Sequence, residues 1–169
     1  MAQTCYILCR GEELSYPSFA DEDYVLAMLL RQASDAMMRA RQSELTPAGV
    51  TTIEAATLMM IDSLGQNAMP ARIAELVLRR PNSVSALLQR MQKDGLVRRA
   101  YDLARKNHVR MELTEYGQEV LEKVKPRESV HAVFGALSPE ERAFLRKTLL
   151  RIRAEALEVL GEKAPPVPR

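Results

Sequence analysis

The segment from Asn82 to Arg99 combines helical spacing of apolar residues with side chains that can hydrogen-bond to a nucleic-acid base. Its apolar residues recur every three or four positions, which predicts an amphipathic helix. The remaining helix surface is small, polar or basic at Asn82, Ser83, Ser85, Ala86, Gln89 and Arg90. Amide side chains pair with adenine, hydroxyls with several bases, and guanidinium groups with guanine or phosphate. This chemistry favours a helix in the major groove of DNA, although an ordinary solvated helix shows a similar pattern.

Such a helix needs a buried face and defined ends. The apolar positions that share one side, and that should pack against the preceding helix and a following hairpin, are Val84, Leu87, Leu88 and Met91. Asn82 or Ser83 is expected to cap the helix, because short polar side chains accept hydrogen bonds from first-turn N–H groups. Gly95 suits the left-handed position just past its end.

Positive charge is concentrated around this segment. Residues 70–112 contain 10 basic and 4 acidic residues, whereas residues 1–69 contain 4 basic and 9 acidic ones. Residues 113–169 are almost balanced, with 10 basic and 9 acidic. A local basic patch is the electrostatic signature of a polyanionic partner. Double-stranded DNA is the partner that this distribution favours.

The basic residues that flank the helix are candidates for contacts with the DNA backbone. They lie in a turn before the helix, in the hairpin after it and at the hairpin tip: Arg79, Arg80, Arg98, Arg99, Arg105 and Lys106. Contacts of this kind position a protein on DNA without reading sequence, and a cationic tip suits a narrow minor groove. Each one taken alone is equally explained as a solvated surface charge.

The elements around the helix predict its setting. Helices are expected over 23–41, 52–65, 71–78, from 82 or 83 to about 94, over 115–125 and from 138 to about 160, with a hairpin over about 96–114. Thr51 with Glu54, and Ser138 with Glu141, have capping-box spacing, and Thr114 can cap a helix. Four helices, a hairpin and two more helices, with the hairpin directly after a helix-turn-helix, form a winged helix-turn-helix.

The central motifs resemble the multiple-antibiotic-resistance regulator (MarR) family of bacterial and archaeal transcription factors. The matching stretches are "IAELVLRRPNSVSALLQRMQKDGLVRR" and, from the second strand of the hairpin onward, "VRMELTEYG". Two positions depart from the family pattern. Arg105-Lys106-Asn107 replaces a tip that usually begins with an acidic residue, and Leu78 stands in a turn position that is often glycine.

The resemblance implies a mainly α fold, with a two-stranded β wing and flanking N- and C-terminal dimerisation helices. It implies an N-terminal arm (1–21), a dimerisation helix and loop (22–50), a DNA-binding lobe (51–117), C-terminal dimerisation helices (118–161) and a flexible tail (162–169). The family forms homodimers, and a two-fold dimer presents recognition helices about 34 Å apart, which matches a pseudo-palindromic operator. A ligand-responsive repressor is the expected role.

Family members often bind a small, frequently aromatic molecule between the dimerisation helices and the DNA-binding lobe. The residues expected to line such a pocket here are Tyr24, Met28, Met37, Met59 and Met60, with Met38 nearby. Methionine suits an adaptable pocket, but methionines at helical spacing are more often plain core.

Other functions remain as alternatives. A winged helix can serve as a protein-interaction module without binding DNA, and Cys5 of the pair Cys5 and Cys9 could sense oxidation in a redox-responsive regulator. No nucleophile motif, phosphate loop, metal spacing or paired carboxylates are apparent, so neither an enzyme nor a cofactor or metal is expected. Uncharged stretches are too short for a membrane span, so a soluble, cytoplasmic protein is expected.

Overall fold

The computed structural model describes residues 21–101, 109–163 and 165. The chain divides into two compact units, Met1–Asp35 and Ala36–Arg169. The predictions for Cys5, Cys9, Arg105 and Lys106 fall outside the described residues. No helix within the described ranges is both long enough and apolar enough to span a bilayer.

Seven helices and one hairpin make up the described structure. They are α1 (Glu22–Leu45), α2 (Thr52–Leu64), α3 (Pro70–Leu76), α4 (Pro81–Lys93), β1 (Val97–Tyr101), β2 (Val109–Leu113), α5 (Glu115–Val124), α6 (Glu128–Gly135) and α7 (Pro139–Val159). Short 3-10 turns follow α1 and α2. The predicted winged helix-turn-helix order is confirmed. The prediction of two helices after the hairpin is wrong, because α6 lies between the two that were expected.

Local capping chemistry places most helix starts where the sequence indicates. Thr51 and Glu54 form a complete capping box at the start of α2, and Ser138 and Glu141 form another at the start of α7. The start of α4 differs from the prediction. It begins at Pro81, with Arg80 at the N-cap and no side-chain hydrogen bond to the first turn. Proline fits the first helical position because its φ is already helical and it has no N–H to satisfy.

The core of the Ala36–Arg169 unit lies where α2, α3, α4 and α5 meet the hairpin. Its most enclosed side chains include Leu58, Ile73, Met91, Met111 and Leu121. The predicted inner face of α4 is confirmed, since all of its apolar members are buried: Val84, Leu87, Leu88 and Met91. Burying side chains of this size stabilises each by about 1.5–3 kcal/mol.

The "LTEYG" motif joins the hairpin to α5 through an unusually close approach. Thr114 caps α5 by accepting from the N–H of Gly117 at 2.9 Å, and its hydroxyl donates to the carbonyl of Gly95 at 2.5 Å. A Cβ atom on Gly117 would lie 1.9 Å from the carbonyl oxygen of Leu96. No side chain fits at that distance, so glycine is required for α5 to pack against the end of α4 and the start of β1.

A partly buried polar cluster explains why α6 forms. The Glu44 carboxylate, near the end of α1, accepts hydrogen bonds from the backbone N–H groups of Glu128 (2.9 Å) and Ser129 (3.1 Å) and from the Ser129 hydroxyl. Glu44 therefore caps α6 from a distant part of the chain. Arg41 lies 2.6 Å from Glu44 and donates to the Val124 carbonyl at 2.5 Å. These contacts tie the ends of α1 and α5 to α6.

Glu44 is expected to make the fold sensitive to acid. Burial opposes its ionisation, but the hydrogen bonds from Ser129, Arg41 and Glu128 prevail and lower its pKa from 4.5 to about 2. A lowered pKa adds stability above pH 4.5, and this stability is lost as the pH falls toward 2. We expect Glu44→Gln to lower the free energy of unfolding at pH 7 by about 1–3 kcal/mol in urea titrations.

The same substitution should matter much less at pH 3, where the wild-type carboxylate has begun to lose this advantage. Glu119→Gln, an exposed change on α5, is the matched control. An equal loss of stability at both pH values would contradict the role of Glu44 ionisation.

Candidate nucleic-acid interface

The outer face of α4 is polar and available for contacts. The residues predicted to face DNA are all exposed: Asn82, Ser83, Ser85, Ala86, Gln89 and Arg90. Within the described residues, the side chains of Ser85 and Gln89 take part in no hydrogen bond, so their donors and acceptors are unengaged. The first turn of α4 has no side-chain cap. Its N–H groups and the positive end of the helix dipole are therefore open to an anion such as phosphate.

The turn between α3 and α4, residues 77–80, positions this face. The N–H of Leu78 donates to the carbonyl of Glu75 (3.2 Å) and that of Arg79 to the carbonyl of Ala74 (3.0 Å). This pair of bonds is a Schellman motif, which requires a left-handed residue at Leu78. Leu78 has φ +51°. The leucine therefore adopts the conformation that glycine would supply, at a cost of about 1–2 kcal/mol, and the turn geometry is preserved.

Arg79 and Arg80 are exposed at the end of this turn, directly before α4. Within the described residues neither guanidinium forms an ion pair, so both charges are available to a partner. Their position beside the uncapped helix start places two cations and several N–H donors on one short piece of chain.

The hairpin presents Arg98 and Arg99 on β1. β1 pairs with β2 in antiparallel register, with Arg98 opposite Glu112. The Glu112 carboxylate lies 3.0 Å from Arg98 and 2.6 Å from Arg110. Hydrogen bonds from Arg110 and then Arg98 lower the pKa of Glu112. The charge of Arg98 is thus partly neutralised by Glu112, whereas Arg99 is exposed and makes no ion pair among the described residues.

This ionic bridge is a functional feature that the sequence reading missed. The strand register could have predicted it, because residues of opposite charge that lie directly opposite each other in an antiparallel pair interact. The bridge braces the base of the wing and fixes the direction of Arg98.

Arg90 is held by a residue of another helix. Its Nε atom lies 2.9 Å from Oε1 of Glu54 in α2, which was expected only to serve in a capping box. Oε2 of Glu54 accepts from the N–H (2.9 Å) and the hydroxyl (2.8 Å) of Thr51. Burial opposes ionisation of Glu54, but these bonds outweigh it and lower its pKa. Arg90 is 55% exposed, so its guanidinium is anchored on one side and open on the other.

The residues predicted for an effector pocket fall in both units. In the first unit, Tyr24 is exposed and Met28 is half-buried. In the second unit Met37, Met59 and Met60 are half-buried, and Met59 packs against the core. The cavities described for the second unit are lined by other residues. The pocket stays a prediction.

The fold is similar to that of solved transcriptional regulators. One is the organohalide-sensing regulator RdhR with bound 2,4-dichlorophenol, which has a TM-score of 0.78, 24% identity, and coverage of 94% of this chain and 96% of that chain. Another is S. aureus MepR in complex with DNA, with a TM-score of 0.73, 21% identity, and coverage of 80% and 99%.

E. coli MarR in complex with operator DNA is also similar, with a TM-score of 0.70, 19% identity, and coverage of 80% and 99%. By sequence, no family model and no curated protein match the chain. At these identities the likeness defines the fold. The chain has the winged-helix fold of the MarR-family transcriptional regulators.

Proposed function

We propose that this chain is a MarR-family transcriptional regulator that binds a pseudo-palindromic DNA operator as a homodimer. The observation that carries the proposal is the surface of α4. Its apolar face is buried, its polar face is unengaged at Ser85 and Gln89, and its first turn is uncapped beside Arg79 and Arg80. A reading helix that enters the major groove by its N-terminal half needs this combination.

The homodimer part of the proposal is supported by exposed apolar side chains on the terminal helices. On α7, Phe144 is 72% and Val159 is 88% exposed, and Leu157 is the one residue of that helix that is buried. On the first-unit part of α1, Leu26 and Leu29 are each more than half exposed. Monomeric soluble proteins rarely leave extended apolar patches uncovered. In a homodimer with two-fold symmetry, the apolar surface of one copy would pack against the same surface of the other copy.

We further propose that the protein is a repressor and that a small molecule releases it from DNA. This proposal is supported by the complexes of similar folds, since RdhR is solved with 2,4-dichlorophenol and CouR from Rhodococcus jostii with p-coumaroyl-CoA. We also propose a cytoplasmic location, because a regulator of this kind acts where the DNA is.

The test is a titration of DNA from the region upstream of the protein's own gene, measured by gel shift at low salt with excess non-specific competitor DNA. We expect a complex that survives the competitor and contains two chains per operator. A complex that the competitor removes completely would refute sequence-specific regulation. Sedimentation of the free protein as a monomer at micromolar concentration would refute the homodimer.

We infer that Glu54 is a positioning residue for Arg90. Glu54→Gln should weaken operator binding by about three- to tenfold, because the neutral amide no longer holds the guanidinium toward the groove. Fluorescence anisotropy with the operator measures the effect. The control is the same substitution in an Arg90→Gln background, where it should change affinity by less than about twofold. Equal losses in both backgrounds would mean that Glu54 acts only through the stability of α2.

A further inference from the structure

One ion pair on α1 joins the end of α5 to the start of α6. The guanidinium of Arg41 donates to the carbonyl of Val124, the last residue of α5, at 2.5 Å. Nη1 of this arginine lies 2.6 Å from Oε1 of Glu44. The Glu44 carboxylate in turn accepts from the backbone N–H groups of Glu128 and Ser129 at the start of α6. The two charges therefore pair with terminal backbone groups of two different helices. We call Arg41, Glu44 and Ser129 the joint clamp.

The helices on the two sides of the joint clamp differ in what holds them. α5 belongs to the core, because its apolar face is buried at Val120, Leu121 and Val124. α6 has no buried residue along its whole length, all of which the structure describes. Apolar packing therefore fixes α5 within the DNA-binding lobe but does not fix the direction of α6. Hydrogen bonds are directional, so those of the joint clamp can set the angle between the two helices.

The chain between α5 and α6 is short, and its conformation needs support. It consists of Lys125, Pro126 and Arg127. Arg127 has φ +52°, in the left-handed region that residues other than glycine rarely adopt. Backbone of this kind persists where the surrounding contacts hold it. The joint clamp supplies such contacts on both sides of Arg127, and the side chain of Arg41 is only 6% exposed.

The angle at this joint has a consequence for a dimer on DNA. In a two-fold dimer held by its terminal helices, α6 and α7 would lie at the interface, and α5 would lead to the lobe that carries α4. A rotation between α5 and α6 would then move the two α4 helices relative to each other. Linked binding sites gain affinity only where their geometry allows both to engage. A fixed angle therefore favours one half-site spacing and penalises the others.

We propose that the joint clamp sets the spacing of the operator half-sites that the dimer accepts. Arg41 and Glu44 are positioning residues, which hold the DNA-binding lobe at one angle to α6 and do not themselves contact DNA. The effect on half-site spacing rests on the proposed function, whereas the fixed angle between α5 and α6 does not.

Operators whose half-sites are moved apart or together by two base pairs test the proposal. One base pair changes the separation by about 3.4 Å and the orientation by about 35°. In anisotropy titrations, the wild type should bind a shifted operator about a hundredfold more weakly than the native one. In Glu44→Gln this penalty should shrink to about tenfold or less, and affinity for the native spacing should fall about three- to tenfold. Both proteins should bind an isolated half-site equally within about twofold, because α4 is unchanged.

Two further variants separate positioning from stability. Ser129→Ala removes one hydrogen bond and leaves both charges, and should reduce the spacing penalty about threefold. Ile61→Val truncates a buried side chain of α2 and lowers stability without touching the joint clamp, so it should keep the wild-type penalty. An unchanged penalty in both Glu44→Gln and Ser129→Ala would overturn the proposal, as would an equal reduction in Ile61→Val.

The angle itself can be measured without DNA, by electron spin resonance between two spin labels in one chain. The labels are attached at Gln92→Cys on α4 and Lys147→Cys on α7, both exposed positions. The background carries Cys5→Ser and Cys9→Ser, and the labelled chain is diluted with unlabelled chain. We expect a narrow distance distribution with the intact joint clamp and a broader one with Glu44→Gln.

This measurement separates the inference from the proposed function. If Glu44→Gln broadens the distribution but no operator complex forms, the proposed function fails and the joint clamp stands. If the operator complex forms and neither the distribution nor the spacing penalty changes in Glu44→Gln, the joint clamp alone is refuted.

Discussion

Raising the salt concentration from 50 to 200 mM is expected to weaken operator binding by about ten-thousandfold. Each subunit presents Arg79, Arg80, Arg98 and Arg99 on the described surface around α4, and a homodimer doubles them. Every phosphate that such a cation neutralises releases a counterion, so the logarithm of affinity falls linearly with the logarithm of salt concentration. Fluorescence anisotropy titrations at several potassium chloride concentrations measure this slope.

The Arg79→Gln, Arg80→Gln double variant should reduce the slope by about 3 to 4, since a dimer loses four phosphate contacts. Affinity at low salt should fall for operator and non-specific DNA alike, because these contacts carry no base information. The Arg39→Gln, Lys123→Gln variant removes the same charge outside the basic segment and should keep the wild-type slope within about one unit. A wild-type slope in the Arg79, Arg80 variant would show that the α3–α4 turn does not touch the DNA backbone.

Gln89→Ala is expected to lower affinity for the operator at least about tenfold, with little change in non-specific binding. Gln89 is exposed on the outer face of α4, one turn beyond Ser85, and its amide is unengaged among the described residues. An amide that pairs with an adenine edge contributes to one sequence and not to DNA in general. The measurement is a pair of titrations, one with operator and one with a shuffled sequence of the same length.

The matched control for this prediction is Gln92→Ala, which removes the same group one turn further toward the end of α4. It should leave operator affinity within about twofold of wild type, because recognition helices contact bases mainly with their N-terminal residues. Both variants should fold normally, since alanine is a better helix former than glutamine at an exposed position. Equal losses for operator and shuffled DNA in Gln89→Ala would exclude base reading by this residue.

Much of the site could be predicted because its determinants are local. The buried face of α4 follows from a spacing of three and four residues, and the caps at Thr51, Thr114 and Ser138 follow from side chains that reach only the next turn. The predicted start of α4 at Asn82 or Ser83 is wrong. Asn82 and Ser83 are good capping types, but Pro81 is better suited to the first helical position, so the helix begins before them.

Helix α6 could not be found in the same way. Its first turn is capped by the carboxylate of Glu44, which lies 84 residues earlier in the chain than Glu128. Local spacing carries no information about a partner at that separation. The pairing of Glu54 with Arg90, which are 36 residues apart, could not be predicted for the same reason.

The residue pattern alone specifies the winged helix-turn-helix order, the apolar face of α4 and the concentration of positive charge around it. These are properties of neighbouring residues, because local hydrogen bonding sets the order of elements and the spacing of residue types sets the apolar face and the charge. Which of the basic residues form ion pairs depends on the tertiary structure. It ties Arg90 to Glu54 and Arg98 to Glu112, leaves Arg79 and Arg80 on the wall of a cavity, and holds Leu78 in a left-handed turn. Whether a charge is paired or available depends on which distant side chain packing brings within about 3–4 Å, and spacing along the chain does not specify that.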